Sequence, residues 1–584
     1  MNYYQMVFGG VILILNVKNI QSECEQIIEN HKFIAKCYDS DLREVNALQQ
    51  KDLYSELRVI DGTLEKLRKN AFEYPRLTTL KLIENGIENI ESRAFSNIPS
   101  LIYLDLSKNQ LESLPSRMFE SNAQLRILNM SRNSICNIEH DTFIRSSNLI
   151  KLNLQNNLLT SIKKYIIEPL TQLEYLNLVN LFLYGNNIEV LPPNLFRFLR
   201  NLQILSLEDN QITDLSTDLF KNSRESKLTN LHLSNNRISK LNPQMFKYLT
   251  SLKELSLTGN PITHIEPGSF DNLIHLSTLT LNQNSLKELT SNMFSKLIEL
   301  NKLRISDNGV TNIEPGAFNS FHGEYPDETS HILNLDLSKN NLTHLSYSMF
   351  APLTRLLTLD LTFSSVKTMD LNVFEPMGDT LQTLDLSGNQ IEELNLGIFD
   401  CLENVNFLGL NRNLLKTLPG ELFKNMVFLE SLGLSENMLK TIPMTQLFNI
   451  PRLLEVKLDQ NQLINLPPEV FEGEDCKVKR LHVYGNKLTY LDKKFLERSQ
   501  IKHIRFGGNP WQCACLNEIM NDVYRLNVQI INPEFYFDGG NPACVVTKNN
   551  TCIRETYLAE DLFKRYQSVK HLKYFNVGFF TWYT

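Results

Sequence analysis

The chain has 584 residues, with 58 Lys and Arg against 65 Asp and Glu, a formal charge of −7 and a pI near 6.0. No strongly basic region argues for nucleic acid. Catalysis finds no support either: H-E-x-x-H, G-x-S-x-G, phosphate-loop and Gly-rich dinucleotide motifs are missing, and the 11 histidines are dispersed.

Residues 1–22 carry an apolar run from Met6 to Leu15. It is too short to span a bilayer and suits a signal-peptide core cleaved near Ser22, although no Lys or Arg precedes it. Cys24 and Cys37 follow, flanking ECEQIIENHKFIAKC. No further ligands cluster near them, so a redox or metal site is a poor reading of the pair.

From residue 54 to 509 one frame repeats about every 24 residues, shown by LQTLDLSGNQIEELNLGIF at 381–399. Leu381, Leu384, Leu386, Asn389, Ile391, Leu394 and Phe399 mark it, and Asn85, Asn109, Asn133, Asn260, Asn340 and Asn413 are among the asparagines that recur in phase. Ser364 replaces asparagine once and Gly62 opens the array, making 19 frames. Such a period means a stacked solenoid in which each repeat touches only its neighbours. L-x-L alternates as a short strand. The asparagine sits at the bend, where its amide can satisfy backbone groups that the bend leaves unpaired. Phe at +10, as in Phe72, Phe95, Phe119 and Phe374, fills the far side of the coil. One repeat cannot bury its own apolar face, so the array needs caps.

This frame resembles the 24-residue extracellular leucine-rich repeat. The resemblance implies an α/β-type solenoid: a horseshoe with a parallel concave β-sheet and disulfide caps at both ends. Toll-type receptor ectodomains, chaoptin-like adhesion proteins and acid-labile-subunit-type carriers are similar in layout. It also implies that residues 23–53 are a small N-terminal cap closed by Cys24–Cys37.

Two frames are irregular. LEYLNLVNLFLYGNN at 173–187 holds the strand signal twice, stretching Asn157–Asn186 to 29 residues. Either a bulge locally kinks the solenoid there, or the gene model carries a splicing error. After Phe318 an acidic, proline-bearing insertion stretches Asn308–Asn340 to 32 residues. Loops on a rigid scaffold often carry binding, although most such insertions are merely tolerated.

Positions −6, −4 and −2 from each asparagine face the concave surface, the natural ligand face. Asp336, Asp360 and Asp385 hold −4 in three consecutive frames. Like charges on adjacent strands repel and invite a basic partner or a cation; equally, LDL is a common sequence at this strand and recurs at Leu104–Leu106. Gly409 and Gly433 then take the column, bounded by Phe407, Lys457, His482, Tyr484 and Arg505. A shallow hollow with an aromatic and basic rim is expected there, against the blander reading of drift on an exposed face. Sequons stand at Asn129, Asn341 and Asn549, and a glycan on Asn129 would mask part of the concave face.

NPWQCACLNEIM, with Cys544 and Cys552 downstream, resembles the C-terminal cap of extracellular leucine-rich repeat proteins at 510–553. The resemblance implies the pairs Cys513–Cys544 and Cys515–Cys552. Four cysteines can also bind zinc, but C-x-C without a second short pair in an oxidising compartment favours disulfides. Neither a metal nor a cofactor is expected. Cys136, Cys401 and Cys476 remain as free thiols, and Cys476, in GEDCK, is expected to be the most exposed and able to bridge to a partner. Residues 554–584 form a tail whose Tyr557, Leu558, Leu562, Val569 and Leu572 mark one face of a short helix. The final VGFFTWYT is too short for a transmembrane helix; no cytoplasmic domain follows, so this chain is not expected to signal across a membrane by itself.

The sequence therefore points to a secreted, extracellular, non-enzymatic scaffold. It would bind a protein or microbial ligand in recognition or innate immunity, alone or as a homo- or hetero-dimer. Cell adhesion or matrix organisation, and carriage of another secreted protein, are the alternatives.

Overall fold

The computed structural model describes residues 13–15, 24–30, 32–177, 186–221, 227–294, 296–319, 332–443, 448, 450–471, 476–531, 544–547 and 551–570. The second strand signal and the five extra residues of the 157–186 frame therefore lie outside the described residues, as does the body of the insertion after Phe318.

Each frame begins as a three-residue strand with its middle leucine sealed and its neighbours half-exposed, as at Thr383–Asp385. The bend that follows is held by the asparagine. Asn413 donates from Nδ2 to the carbonyls of Leu386 at 2.9 Å and Leu410 at 3.2 Å, and its Oδ1 accepts from Ile391 N at 3.1 Å. Asn133 repeats this with Leu106, Met130 and Leu111. One side chain thus satisfies carbonyls of two successive coils and a buried N–H, which needs an amide with both donors and an acceptor. Aspartate lacks the donors. At the start of the ladder Gly62 N donates to Asn85 Oδ1 at 3.0 Å, and a Cβ on Gly62 would stand 2.5 Å from Ser40 O. That position has no room for a side chain.

The chain divides into two units, residues 1–285 with 293–300, and residues 286–292 with 301–584. In the first, strands Cys24–Glu29 and Lys32–Tyr38 form an antiparallel hairpin with Cys24 opposite Cys37, joined by a disulfide. Leu13–Leu15 pairs antiparallel with its outer edge. Lys32–Tyr38 then runs parallel to Tyr54–Ile60, and parallel strands continue in register as far as Thr278–Thr280. Tyr175–Asn177, within the first copy of the duplicated signal, pairs with the strands Lys151–Asn153 and Ile204–Ser206. Behind the sheet the phenylalanines stack, Phe72–Phe95 at 6.1 Å and Phe95–Phe119 at 6.2 Å between centroids. The column changes at Ile167, buried at the end of a short helix Lys164–Ile167.

In the second unit parallel strands run from Lys302–Arg304 to Gln529–Ile530. Within this unit Phe374, Phe399 and Phe423 form a stack of their own. Trp511 is buried and donates from Nε1 to Phe506 O at 2.9 Å, closing the last coil. The helix Cys513–Arg525 is tied by Cys513–Cys544 and Cys515–Cys552. Gln512 exchanges two hydrogen bonds with the Ile553 backbone. A further helix, Ala559–Lys570, buries Ala559, Leu562 and Tyr566; Tyr557, expected on its apolar face, instead lies ahead of it in the short 3-10 helix Thr556–Leu558 and is exposed.

The free thiols depart from expectation. Cys476 is buried, Cys401 is half-buried, and Cys136 is the exposed one. Burial pushes the thiols of Cys401 and Cys476 up. The charged run GEDCK suggested exposure, but the chain turns Cys476 inward just before Val478, which packs in the core. Among the described residues no helix is long and apolar enough to cross a membrane.

Candidate binding face

On the sheet of the second unit, parallel register sets Arg304 beside Asp336, Asp336 beside Asp360, and Asp360 beside Asp385. The three carboxylates are half-buried, and among the described residues none forms an ion pair. Each is anchored by its own turn. Asp336 Oδ1 accepts from Ser338 N at 3.0 Å, Asp360 Oδ1 from Thr362 N at 2.9 Å, and Asp385 Oδ1 from Ser387 N at 2.9 Å. Burial, and then the charges of Asp336 and Asp385, holds the Asp360 carboxyl above its usual range.

The turn bond does not need the charge. In the first unit Asn129 and Asn153 occupy the same column and accept from Ser131 N at 3.2 Å and Gln155 N at 3.0 Å. An aspartate at this position is therefore structural in its Oδ1. What the structure leaves unspent is the negative charge, repeated over three strands about 4.8 Å apart.

Gly409 and Gly433 do not make a hollow. Both are buried, and a Cβ on Gly409 would lie 2.2 Å from Asp385 Oδ1, while one on Gly433 would lie 2.4 Å from Asn411 Nδ2. The aspartate and asparagine of the preceding frames lean over the glycines and fill that space.

The rim residues also meet partners that the sequence reading passed over. Lys457, Arg480 and His482 all reach Glu455, at 3.3, 3.3 and 3.2 Å, and Arg505 pairs with Asp459 at 2.8 Å. The Arg505 guanidinium also lies over the Tyr484 ring, 4.5 Å from its centroid, and Tyr484 N donates to Asp459 Oδ1 at 2.7 Å. Burial pushes Glu455 up, but Lys457, His482 and Arg480 pull it below its usual range. Burial dominates at His482, which is held low, and at Asp459, which is held high. Lys457, His482, Tyr484 and Arg505 thus form one internally compensated network, whereas Phe407 stands apart, half-buried two strands before Glu455. Glu455 and Asp459 sit at −6 and −2 from Asn461, on the same face as the −4 column.

Of the sequons, Asn341 is exposed. Asn129 directs its Nδ2 to both oxygens of Asp105, at 3.1 and 3.0 Å. Asn549 lies outside the described residues.

The leucine rich repeat family profile matches residues 75–135, 123–180, 177–225, 226–286, 330–391 and 403–463. The human protein Leucine-rich repeats and immunoglobulin-like domains protein 1 is 33% identical over 96 residues, a match spanning 16% of this chain and 9% of that protein. A solved leucine-rich repeat protein of Leptospira interrogans aligns with a TM-score of 0.57 and 25% identity, over 74% of this chain and 96% of its own. A chain of the Drosophila Toll–Spätzle complex aligns with a TM-score of 0.54 and 17% identity, over 89% and 93%.

Proposed function

The chain belongs to the leucine-rich repeat family, and on that premise we propose that it is a secreted, non-enzymatic scaffold that grips a basic extracellular protein across the sheet of its second unit, in recognition of the innate-immune kind. The observation that carries this reading is the ladder Asp336–Asp360–Asp385, which forms no ion pair among the described residues and has Arg304 as a cross-strand neighbour at its Asp336 end. A basic loop laid across it would relieve the mutual repulsion and gain charge-assisted hydrogen bonds. Three disulfides support an oxidising, extracellular setting. The Drosophila structure with the same fold is a complex of Toll with Spätzle, which supports a macromolecular partner.

The test is capture from native extracellular fluid with tagged wild type and the triple variant Asp336→Asn, Asp360→Asn, Asp385→Asn in parallel. A stoichiometric protein held by the first and lost by the second is expected. Empty capture from fluid, with the wild-type protein retained on cells or matrix instead, would replace this reading with adhesion.

A further inference from the structure

Seven residues after each frame's asparagine the chain crosses the flank of the coil. From the Gly62 frame to the Asn486 frame this column holds Lys, Ser, His, Pro, Thr or Gly, with Met444 and three consecutive positions as exceptions. Those three are Tyr347, Leu371 and Leu396, exposed by 39%, 56% and 57%. Parallel pairing of His344–Leu345 with Thr368–Met369 fixes the register of the first two frames. Leu371 Cδ1 reaches to 3.8 Å from where a Cβ on Gly397 would stand, beside Leu396. The result is a row of three large exposed apolar side chains, bounded in the same column by Pro315 and Gly420 of the flanking frames.

The ridge sits in the most acidic part of the chain. Between Arg355 and Arg412 there are nine Asp and Glu and the single base Lys367, a balance of −8 in a chain whose total is −7. Asp370 accepts from Tyr347 N at 3.1 Å at one end of the ridge. At the other, Asp400 Oδ2 comes within 3.7 Å of the same Gly397 Cβ position, and its Oδ1 is buried without a hydrogen-bond partner. Glu375, Asp379 and Glu393 are exposed nearby in sequence.

We infer that Tyr347, Leu371 and Leu396 form a docking ridge for a basic amphipathic helix of a partner protein, laid along the solenoid axis. Successive coils are about 4.8 Å apart, so the ridge presents three apolar groups over about 10 Å. A helix with apolar residues at i, i+3 or i+4, and i+7 presents them about every 5 Å. A strand presents same-side residues about every 6.7 Å and loses register by the third. Lysines and arginines flanking the helix stripe would meet the acidic collar. A second copy of this chain does not supply such a helix from its described residues. Cys513–Arg525 and Ala559–Lys570 both turn their apolar faces, including Ile519, Val523, Leu562 and Tyr566, into their own unit.

This inference rests on the chain being a protein-binding scaffold but uses a different face from the aspartate ladder. The probe is a fluorescent Leu/Lys peptide of about 18 residues with leucine at i, i+3, i+4 and i+7, long enough to hold a helix. Its control has the same composition with the leucines spread around the helix. By anisotropy at physiological salt, the patterned peptide should bind wild type and lose at least about tenfold on Leu371→Asp/Leu396→Asp, or on the milder Leu371→Ser/Leu396→Asn, while retaining the wild-type melting profile. Equal binding to wild type and variants, or equal binding of patterned and spread peptides, would overturn the ridge. Loss only on the triple Asp→Asn variant would move the peptide to the sheet face, overturning the ridge and leaving the ladder standing. A wild-type dimer in sedimentation that dissolves on Leu371→Asp would assign the ridge to a second copy and overturn the helix.

Discussion

Replacing Asp336, Asp360 and Asp385 together by asparagine removes three charges while keeping three acceptors. The turn bonds to Ser338, Thr362 and Ser387 survive, as they do at Asn129 and Asn153. What disappears is the repulsion across two pairs of adjacent strands, Asp336 against Asp360 and Asp360 against Asp385. Neutralising Asp336 also removes the attraction of Arg304, its partner on the preceding strand. At roughly 0.2–1 kcal/mol per directly opposed pair, two repulsions lost against one attraction lost leave the variant more stable by roughly 0.2–1 kcal/mol at neutral pH. The sign of the pH dependence follows from Asp360, whose folded carboxyl is held high by burial and then by its two neighbours. A raised acid favours the folded state fully below its unfolded value and loses that contribution as pH rises through the folded value. The gap between variant and wild type should therefore open between acid and neutral pH and close below about pH 3. Urea midpoints at the two pH values measure it; midpoints are used because long repeat arrays need not unfold in one step. A variant less stable than wild type at pH 7, or a gap independent of pH, would refute the reasoning.

Ser364→Asn should raise the unfolding midpoint by about 0.5–1.5 kcal/mol, because Ser364 Oγ supplies one strong bond, to Leu337 O at 2.8 Å, where an asparagine supplies two. A lowered midpoint would mean the amide does not seat there. Asp459→Ala should cost about 1–3 kcal/mol by stripping Arg505, Tyr484 N and His482 of a shared partner; unchanged urea midpoints would count against the network. A thiol reagent applied to the native protein should modify Cys136 quickly and Cys401 and Cys476 slowly, with peptide mass spectrometry reading the order; fast labelling of Cys476 would contradict its burial. Expressed through a secretory pathway, the protein should carry a glycan at exposed Asn341 and none at Asn129, whose amide faces Asp105, as glycosidase mass shifts would report.

Much of the fold was legible because it is written once per coil. Leu384, Asn389 and Phe399 recur in phase, and a position that repeats in every frame must have one structural cause. The asparagine's role could be reasoned from its donors alone, and the ladder of Asn413, Asn133 and their equivalents bears it out. The aspartate ladder could be placed for the same reason, since a fixed offset fixes a column. The network around Glu455 and Asp459 was less legible, because its ion pairs depend on where long side chains lean between frames. Gly409 failed for the complementary reason: a missing side chain reads as a void, but Asp385 of the preceding frame leans into it. Cys476 sits in a loop outside the frame, where no period says which way a side chain faces.

The most direct test of the aspartate face is carbodiimide labelling of carboxylates, read by peptide mass spectrometry, on the free protein and on its captured complex. Asp336, Asp360 and Asp385 should all label in the free protein and lose labelling together in the complex, while exposed acids such as Glu430 in the same unit keep theirs. Unchanged labelling of the three aspartates in a stoichiometric complex would contradict the account.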